Sequence, residues 1–314
     1  MILILGAGGF LGFSFSSYLS EKRQQFYTIS RSFQWDRLPG ETRFVCSVSS
    51  FGDISGICDN LTTVIYMAGA TDLADAESRS ALDLSDHVSQ MESFFTRLRS
   101  LSVERCRFIF FSSAGTVYGD SDGSPSCESD LLMPKSAYGR RNALLEHLFL
   151  MSVRSLGARP LVLRVSNPFG PFQFRFRRKG LIQSLISSSF SNESIVLRGS
   201  GRQVRDYIYV DDLVSSIYSL IALENWPFQI LNVGSGYGFS ANEIVEILNC
   251  NGLSPVVTRS VESSEYDVDC SVVDNTALCS VLRLQSEGLY PLSLPKINSL
   301  IRSMTFEGMG RFLT

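Results

Sequence analysis

Seven residues near the start of the chain, Gly6-Ala7-Gly8-Gly9-Phe10-Leu11-Gly12, limit what it can fold into more than any other stretch. They follow the aliphatic run Met1–Leu5 and precede Phe13–Tyr18, whose apolar spacing is that of a helix lying on a sheet. The opening unit reads strand, tight turn, helix. Gly6 permits the sharp turn, Gly9 lets backbone N–H groups approach a pyrophosphate, and Gly12 lets the helix pack closely on the strand. With Phe10 and Leu11, these glycines are the expected binding site of a dinucleotide cofactor.

In such folds the second strand commonly ends in a carboxylate that holds the adenosine ribose. Here that place reads Thr28-Ile29-Ser30-Arg31-Ser32. A carboxylate repels a ribose phosphate, whereas an arginine between hydroxyls accepts one. The expected cofactor is NAD or NADP, with Ser30 and Arg31 leaning toward NADP; a solvated surface charge at Arg31 is the competing reading.

Short apolar runs recur at Phe26–Ile29, Arg43–Val45, Thr63–Met67, Phe108–Phe111 and Leu161–Val165. Helix-length polar segments such as Ala74–Arg99 and Ala137–Ser155 separate them. That alternation predicts an α/β fold built on a doubly wound parallel sheet. After Asn167 the rhythm gives way to Pro, Gly, aromatic and Arg-rich sequence, with strand-like Ser194–Leu197 and Tyr207–Val210 and helices starting at Asp211 and Ala241. The expected division is a dinucleotide-binding domain over 1–166, to which 206–236 returns. A smaller α+β substrate lobe takes 167–205 and 237–314.

Composition narrows the function. A net charge of −3 on 314 residues supplies no field for nucleic acid or an anionic membrane, so phosphate recognition has to be local. Seven cysteines without a CxxC pair read as reduced thiols, and His87 and His147 lie far from any cysteine cluster, so no metal site is expected. The apolar runs are strand-sized and the chain enters a strand without a basic leader, which gives a cytoplasmic protein as the expectation.

The most distinctive segment is Phe108-Ile-Phe-Phe-Ser112-Ser113-Ala-Gly-Thr116-Val-Tyr118-Gly119 followed by Pro134-Lys-Ser-Ala-Tyr138-Gly-Arg-Arg-Asn142. Together with the glycine turn it resembles the extended short-chain dehydrogenase/reductase family, and within it the UDP-glucose 4-epimerase-like group of nucleotide-sugar epimerases, dehydratases and ketoreductases. Ser166–Pro171, Gln203–Asp212 and Asn232–Gly236 resemble that family's later motifs, so the likeness runs nearly end to end. It implies a Rossmann domain in which Tyr138 exchanges a proton with a sugar oxygen while hydride passes to or from the nicotinamide. It also implies cofactor contacts from Met67, Ala68, Gly69, Tyr138 and Asn142, a nucleotide-diphosphate sugar as substrate, and a homodimer formed through helices around Ala81–Arg99 and Ala137–Ser155.

Two departures from the family pattern carry information. A free tyrosine has a pKa of about 10 and needs a nearby positive charge to act as a base near neutrality. The family places a lysine four residues on, where this chain has Asn142, which hydrogen-bonds ribose but brings no charge. Arg140 and Arg141 are expected to point to other faces of the helix, or only partly toward Tyr138. The second departure is Ala114, four residues before Tyr118, where the family has Ser or Thr and dehydratases continue with an acidic pair. Without that pair dehydration is disfavoured, and the polarising hydroxyl falls to Thr116 first, then Ser113 or Ser112, unless these cap the strand end.

In the substrate lobe the resemblance implies that Asn167 and Arg205 hold the diphosphate, with Tyr207 and Asp269 as further contacts; Tyr207 and Asp206 read equally as structural residues. Arg175, Arg177, Arg178 and Lys179 form a local basic cluster that reads as a phosphate clamp or a solvated loop. The arginine expected before Asp269 is absent, since Glu262–Glu265 fills that stretch. The leading expectation is a nucleotide-sugar epimerase acting at C4 through a transient keto sugar. Its alternatives are an NADPH-dependent reductase of nucleotide-4-keto-6-deoxysugars and a degenerate member that binds without turnover.

Overall fold

A computed structural model describes residues 1–51, 55–58, 60–69, 73–121, 123–175, 180–260, 266–284 and 289–312. The first part of the chain runs β1 (Ile2–Leu5), α1 (Phe10–Glu21), β2 (Phe26–Ser30), β3 (Glu41–Val45), α2 (Ser55–Cys58), β4 (Thr63–Tyr66), α3 (Leu73–Ser78) and α4 (Ser80–Leu98). It continues with β5 (Arg107–Ser113), α5 (Ala114–Val117), α6 (Ala137–Ser155), β6 (Arg159–Val165), β7 (Asn167–Phe169) and α7 (Leu181–Ser191). After β8 (Ile195–Arg198) come β9 (Val204–Tyr209), α8 (Val210–Ala222), β10 (Ile230–Val233), β11 (Gly238–Ser240) and α9 (Ala241–Cys250). The chain ends with β12 (Val257–Ser260), β13 (Cys270–Ser271), α10 (Thr276–Leu282) and α11 (Leu294–Phe312).

The main sheet has seven strands in the order β10-β6-β5-β4-β1-β2-β3, and its pairs from β3 to β5 are parallel. The order reverses at β1, whose neighbours are β2 on one side and β4 on the other, so this is the expected doubly wound sheet. Ligands of such sheets bind beyond the carboxyl ends of the strands at that reversal.

Contacts divide the chain into two compact units. The first holds Met1–Val117, Ser136–Arg164 and Val214–Leu231; the second holds Tyr118–Lys135, Val165–Leu213 and Asn232–Thr314. Against the expected boundaries, Tyr118–Lys135 groups with the second unit, and the segment returning to the first is shorter than 206–236. The segment expected as one helix over Ala74–Arg99 is broken at Arg79, whose φ of −132° lies outside the helical region.

The first core is aromatic. Phe94, Phe95, Phe108, Phe110 and Phe149 pack behind the sheet, with Phe110 and Phe149 stacked at 5.3 Å. These rings anchor α6, the helix that carries Tyr138. The second unit has its own core of Phe169, Ile182, Leu185, Ile186, Tyr207, Tyr209 and Ile244 beside a sheet centred on β9. Among the described residues no helix is long and apolar enough to cross a membrane, and no three His, Cys, Asp or Glu side chains are grouped to hold a metal.

Candidate active site

The glycine turn is shaped by contacts that a side chain would break. Gly6 has φ +82°, and a Cβ there would come within 2.6 Å of Ala68 N and Cα, because the turns after β1 and β4 press together. Its amide and that of Ala7 donate to Ile29 O at 2.9 and 3.1 Å. A Cβ at Gly12 would sit 2.3 Å from Ala7 O, which enforces close packing of helix on turn. Gly9 differs from both. It caps α1 in an ordinary extended conformation, with no side-chain cap and no acid in the first turn, and a Cβ there would meet nothing within 4 Å. Protein packing does not require glycine at that position, whereas a ligand lying against the helix amides does.

Gly8, which the spacing argument passed over, is equally confined: a Cβ would fall 2.2 Å from Ser32 O and 2.3 Å from Ser30 Oγ. The end of β2 therefore abuts the glycine turn, with Ser30 half-buried and Arg31 exposed. The neighbouring Arg43 is structural. It pairs with both oxygens of Glu41, donates to Trp35 O and Asp36 O, and lies 4.1 Å over the Phe33 ring. Burial acts to raise the Glu41 pKa, but hydrogen bonds from Arg43, Thr28 and the Leu38 amide outweigh it and hold the carboxyl below its ordinary value of 4.5.

Tyr138 is half-buried in the first turn of α6. Ser136 caps this helix by accepting from the Gly139 amide at 3.0 Å, and Glu77 of α3 accepts from the Ala137 amide. One turn on, Asn142 is 5% exposed and its Nδ2 has no hydrogen-bond partner among the described residues. A buried amide left unpaired costs about 1–3 kcal/mol, so this donor waits for an acceptor that the described residues do not supply. The bare Gly9 cradle and the orphaned Asn142 donor both fit a dinucleotide, through its pyrophosphate and a ribose hydroxyl respectively.

Arg141 corrects the sequence reading. Its guanidinium does not point away but lies 4.6 Å over the Tyr138 ring. Long helical side chains lean toward the helix N-terminus, which carries residue i+3 back over residue i. Arg141 is 3% exposed, donates to Asp83 Oδ2 at 2.6 Å and to Gly69 O at 3.0 Å, and so ties α6 to α4 and to the turn after β4. Gly69 has φ +124°, with His87 of α4 against it.

The three candidate hydroxyls separate. Ser112 is buried and donates to Glu146, which also forms a buried ion pair with Arg164 at 2.9 Å, so Ser112 belongs to the core. Thr116 is half-buried and donates to Ser113 O at 3.3 Å, the strand-end capping that was the competing reading. Ser113 is also half-buried, at the last position of β5. Met67, Ala68 and Gly69 follow β4, the Met67 amide donating to Leu5 O at 2.8 Å.

In the second unit, Asn167 Nδ2 donates to Asp206 O at 2.9 Å, and Arg205 is half-buried with one donor on Val204 O. Asp206 is fully buried; burial pushes its carboxyl up, while Ser235 N and Oγ, Gly236 N and Val273 N all donate to it. Tyr207 packs in the second core beside Phe169, and burial raises its hydroxyl to about 12. Asp269 is exposed, its amide bonded to Asp120. Arg177, Arg178, Lys179 and Glu262–Glu265 lie outside the described residues, as does the side chain of Arg175.

The chain belongs to the NAD dependent epimerase/dehydratase family, whose sequence profile matches residues 2–234. A dTDP-4-dehydro-6-deoxyglucose reductase of Escherichia coli is 29% identical over 259 residues, covering 79% of this chain and 80% of the relative. A putative UDP-glucose 4-epimerase of Methanocaldococcus jannaschii is 26% identical over 252 residues, covering 79% and 81%. Among solved structures, MoeE5 in complex with UDP-glucuronic acid and NAD matches with a TM-score of 0.82 at 25% identity, over 96% of this chain and 99% of that one.

Proposed function

We propose that the chain is an NAD(P)-dependent nucleotide-sugar epimerase acting at C4 through a transient keto sugar. The observation that carries this reading is the first turn of α6, where a half-buried phenol, a cation over its ring and an unpartnered buried amide donor stand within five residues. The amides that open α1 would hold the pyrophosphate, and Asn142 Nδ2 would donate to a ribose hydroxyl. A nicotinamide held there would supply hydride acceptance from the sugar carbon and its return. Tyr138 Oη takes the proton of the sugar hydroxyl as the carbonyl forms and gives it back on reduction, with Ser113 or Thr116 donating to the same oxygen. Asn167, Arg205, Tyr207 and Asp269 are assigned to the diphosphate sugar, and the working form to a homodimer.

A second reading is an NADPH-dependent reductase of a nucleotide-4-keto-6-deoxysugar. Arg31, exposed between two serines against the glycine turn, favours it, since a reductase has to exchange its cofactor. The reductase relative from Escherichia coli supports it as well. The test is to incubate purified protein with UDP-glucose without added cofactor and follow sugar configuration by NMR. Conversion to the C4 epimer supports the first reading. No conversion, with NADPH consumed by a dTDP-4-keto-6-deoxyglucose, replaces it with the second; neither reaction leaves a binding protein.

A further inference from the structure

Arg141 is placed as few arginines are. It is buried, its guanidinium lies over the Tyr138 ring, one edge is paired with Asp83, and another donor holds the carbonyl of Gly69, a glycine at positive φ in the turn after β4. A structural salt bridge explains the Asp83 contact alone. It does not explain why the cation faces the one phenol at the site, or why the same group fixes Gly69. We propose that Arg141 is the positioning residue of this site, holding the Tyr138 ring and the Gly69 turn in register and placing a positive charge on the ring face. This rests on the reading that Tyr138 exchanges a proton with substrate.

The chemistry is asymmetric in the right direction. When Tyr138 Oη gives up its proton, negative charge spreads into the ring, and a guanidinium on the ring face interacts more strongly with that state than with the neutral phenol. Water is largely kept from Arg141, which strengthens the effect. Asp83 opposes it by neutralising part of the cation, and its second role is to hold the guanidinium flat. Among the described residues, the other charged or titratable groups packed on this turn are His87, whose Nδ1 lies 2.6 Å from Asp83 O, Glu77 on the Ala137 amide, and Arg140, 3.9 Å from Glu77. Of these cations, only Arg141 stacks on the phenol among the described contacts.

The test uses the full chain and the ultraviolet phenolate band of Tyr138, taken as wild type minus Y138F, so that it does not depend on knowing the substrate. Removing Arg141 alone would strand the buried Asp83 carboxylate, so the variant is R141Q/D83N, with R141K as a second that keeps the charge without the planar fork. The expected result for R141Q/D83N is a phenolate midpoint at higher pH, by about one unit, and a dinucleotide Kd raised about tenfold by calorimetry. R141K keeps the midpoint near wild type but loses dinucleotide affinity through Gly69. Position 142 lies one turn from the phenol and offers another place for a cation. Adding N142K to R141Q/D83N should bring the midpoint back.

An unmoved midpoint in R141Q/D83N, or no rescue by N142K, overturns the inference. If R141Q/D83N does not fold, R141K decides it: a midpoint raised in R141K, or dinucleotide affinity left at its wild-type value, overturns it. Turnover in Y138F is read separately. Retained turnover there removes the reading of the site, while lost turnover with an unmoved midpoint removes only the role of Arg141.

Discussion

The glycine turn after β1 and the Arg205-Asp206-Tyr207 stretch of β9 are comparably distinctive as sequence, and the structure uses them in opposite ways. In the turn the spacing itself is the function: Gly6 and Gly12 are bare because backbone crowds them, and Gly9 is bare where no protein atom comes near. In β9 the conspicuous side chains mostly build the fold. Asp206 gathers four donors from the loop 233–236 and from Val273, and Tyr207 fills the second core. The lesson is that a motif made of absent side chains can be read from sequence, because only a few causes empty a position. A motif made of polar side chains stays ambiguous until their partners are known.

Four substitutions bear on that contrast. The largest effect is expected at Gly9. A Gly9→Val protein should lose no more than about 1–2 kcal/mol, the difference between glycine and valine as an N-cap, since its φ and the space at its Cβ admit a side chain, yet bind dinucleotide at least about a hundredfold more weakly because the amides are covered. Calorimetric titration beside a melting curve checks both halves, and intact binding would break the comparison at its strong end.

Next is the pair Asp206→Ala and Arg205→Ala. The first leaves several buried donors unpaired and should lower unfolding free energy by about 3 kcal/mol or more in urea. The second should shift stability by less than about 1 kcal/mol but weaken UDP-glucose binding about tenfold. Equal loss of stability in both would erase the distinction between a ligand contact and a structural one.

The smallest effect concerns Glu41, below the cofactor turn in the same unit. Its folded-state pKa lies under the ordinary value of 4.5, so it contributes stability that is present above that pH and is lost as pH falls through the depressed folded value. Melting temperature should therefore drop on acidification below about pH 4.5, and Glu41→Gln should flatten that drop while costing stability at neutral pH. A wild-type curve no steeper than that of the variant would contradict the assignment.

Much of the fold was legible. The strand, turn and helix at the N-terminus, the alternation of the sheet and the whole span of α6 follow from apolar period and glycine placement. The departures come from partners distant in sequence. Arg141 meets Asp83 across 58 residues and Ser112 meets Glu146 across 34, and no local pattern announces either contact. Thr116 is the local exception: its hydroxyl turns to Ser113 O three residues back, the strand-end capping that was the competing reading, as a short helix begins there. Gly8 was hidden by its neighbour: two adjacent glycines look like one flexible position, and only the approach of Ser30 and Ser32 shows that both are needed.

The account turns on backbone amides at the head of α1 receiving a dinucleotide. Calorimetric titration of the wild-type chain, freed of any dinucleotide that co-purifies with it, with NADH and with NADPH addresses this directly. One saturable site per chain is predicted, tighter for NADPH than for NADH and lost in Gly9→Val. Well-folded wild-type protein that takes up neither would contradict it.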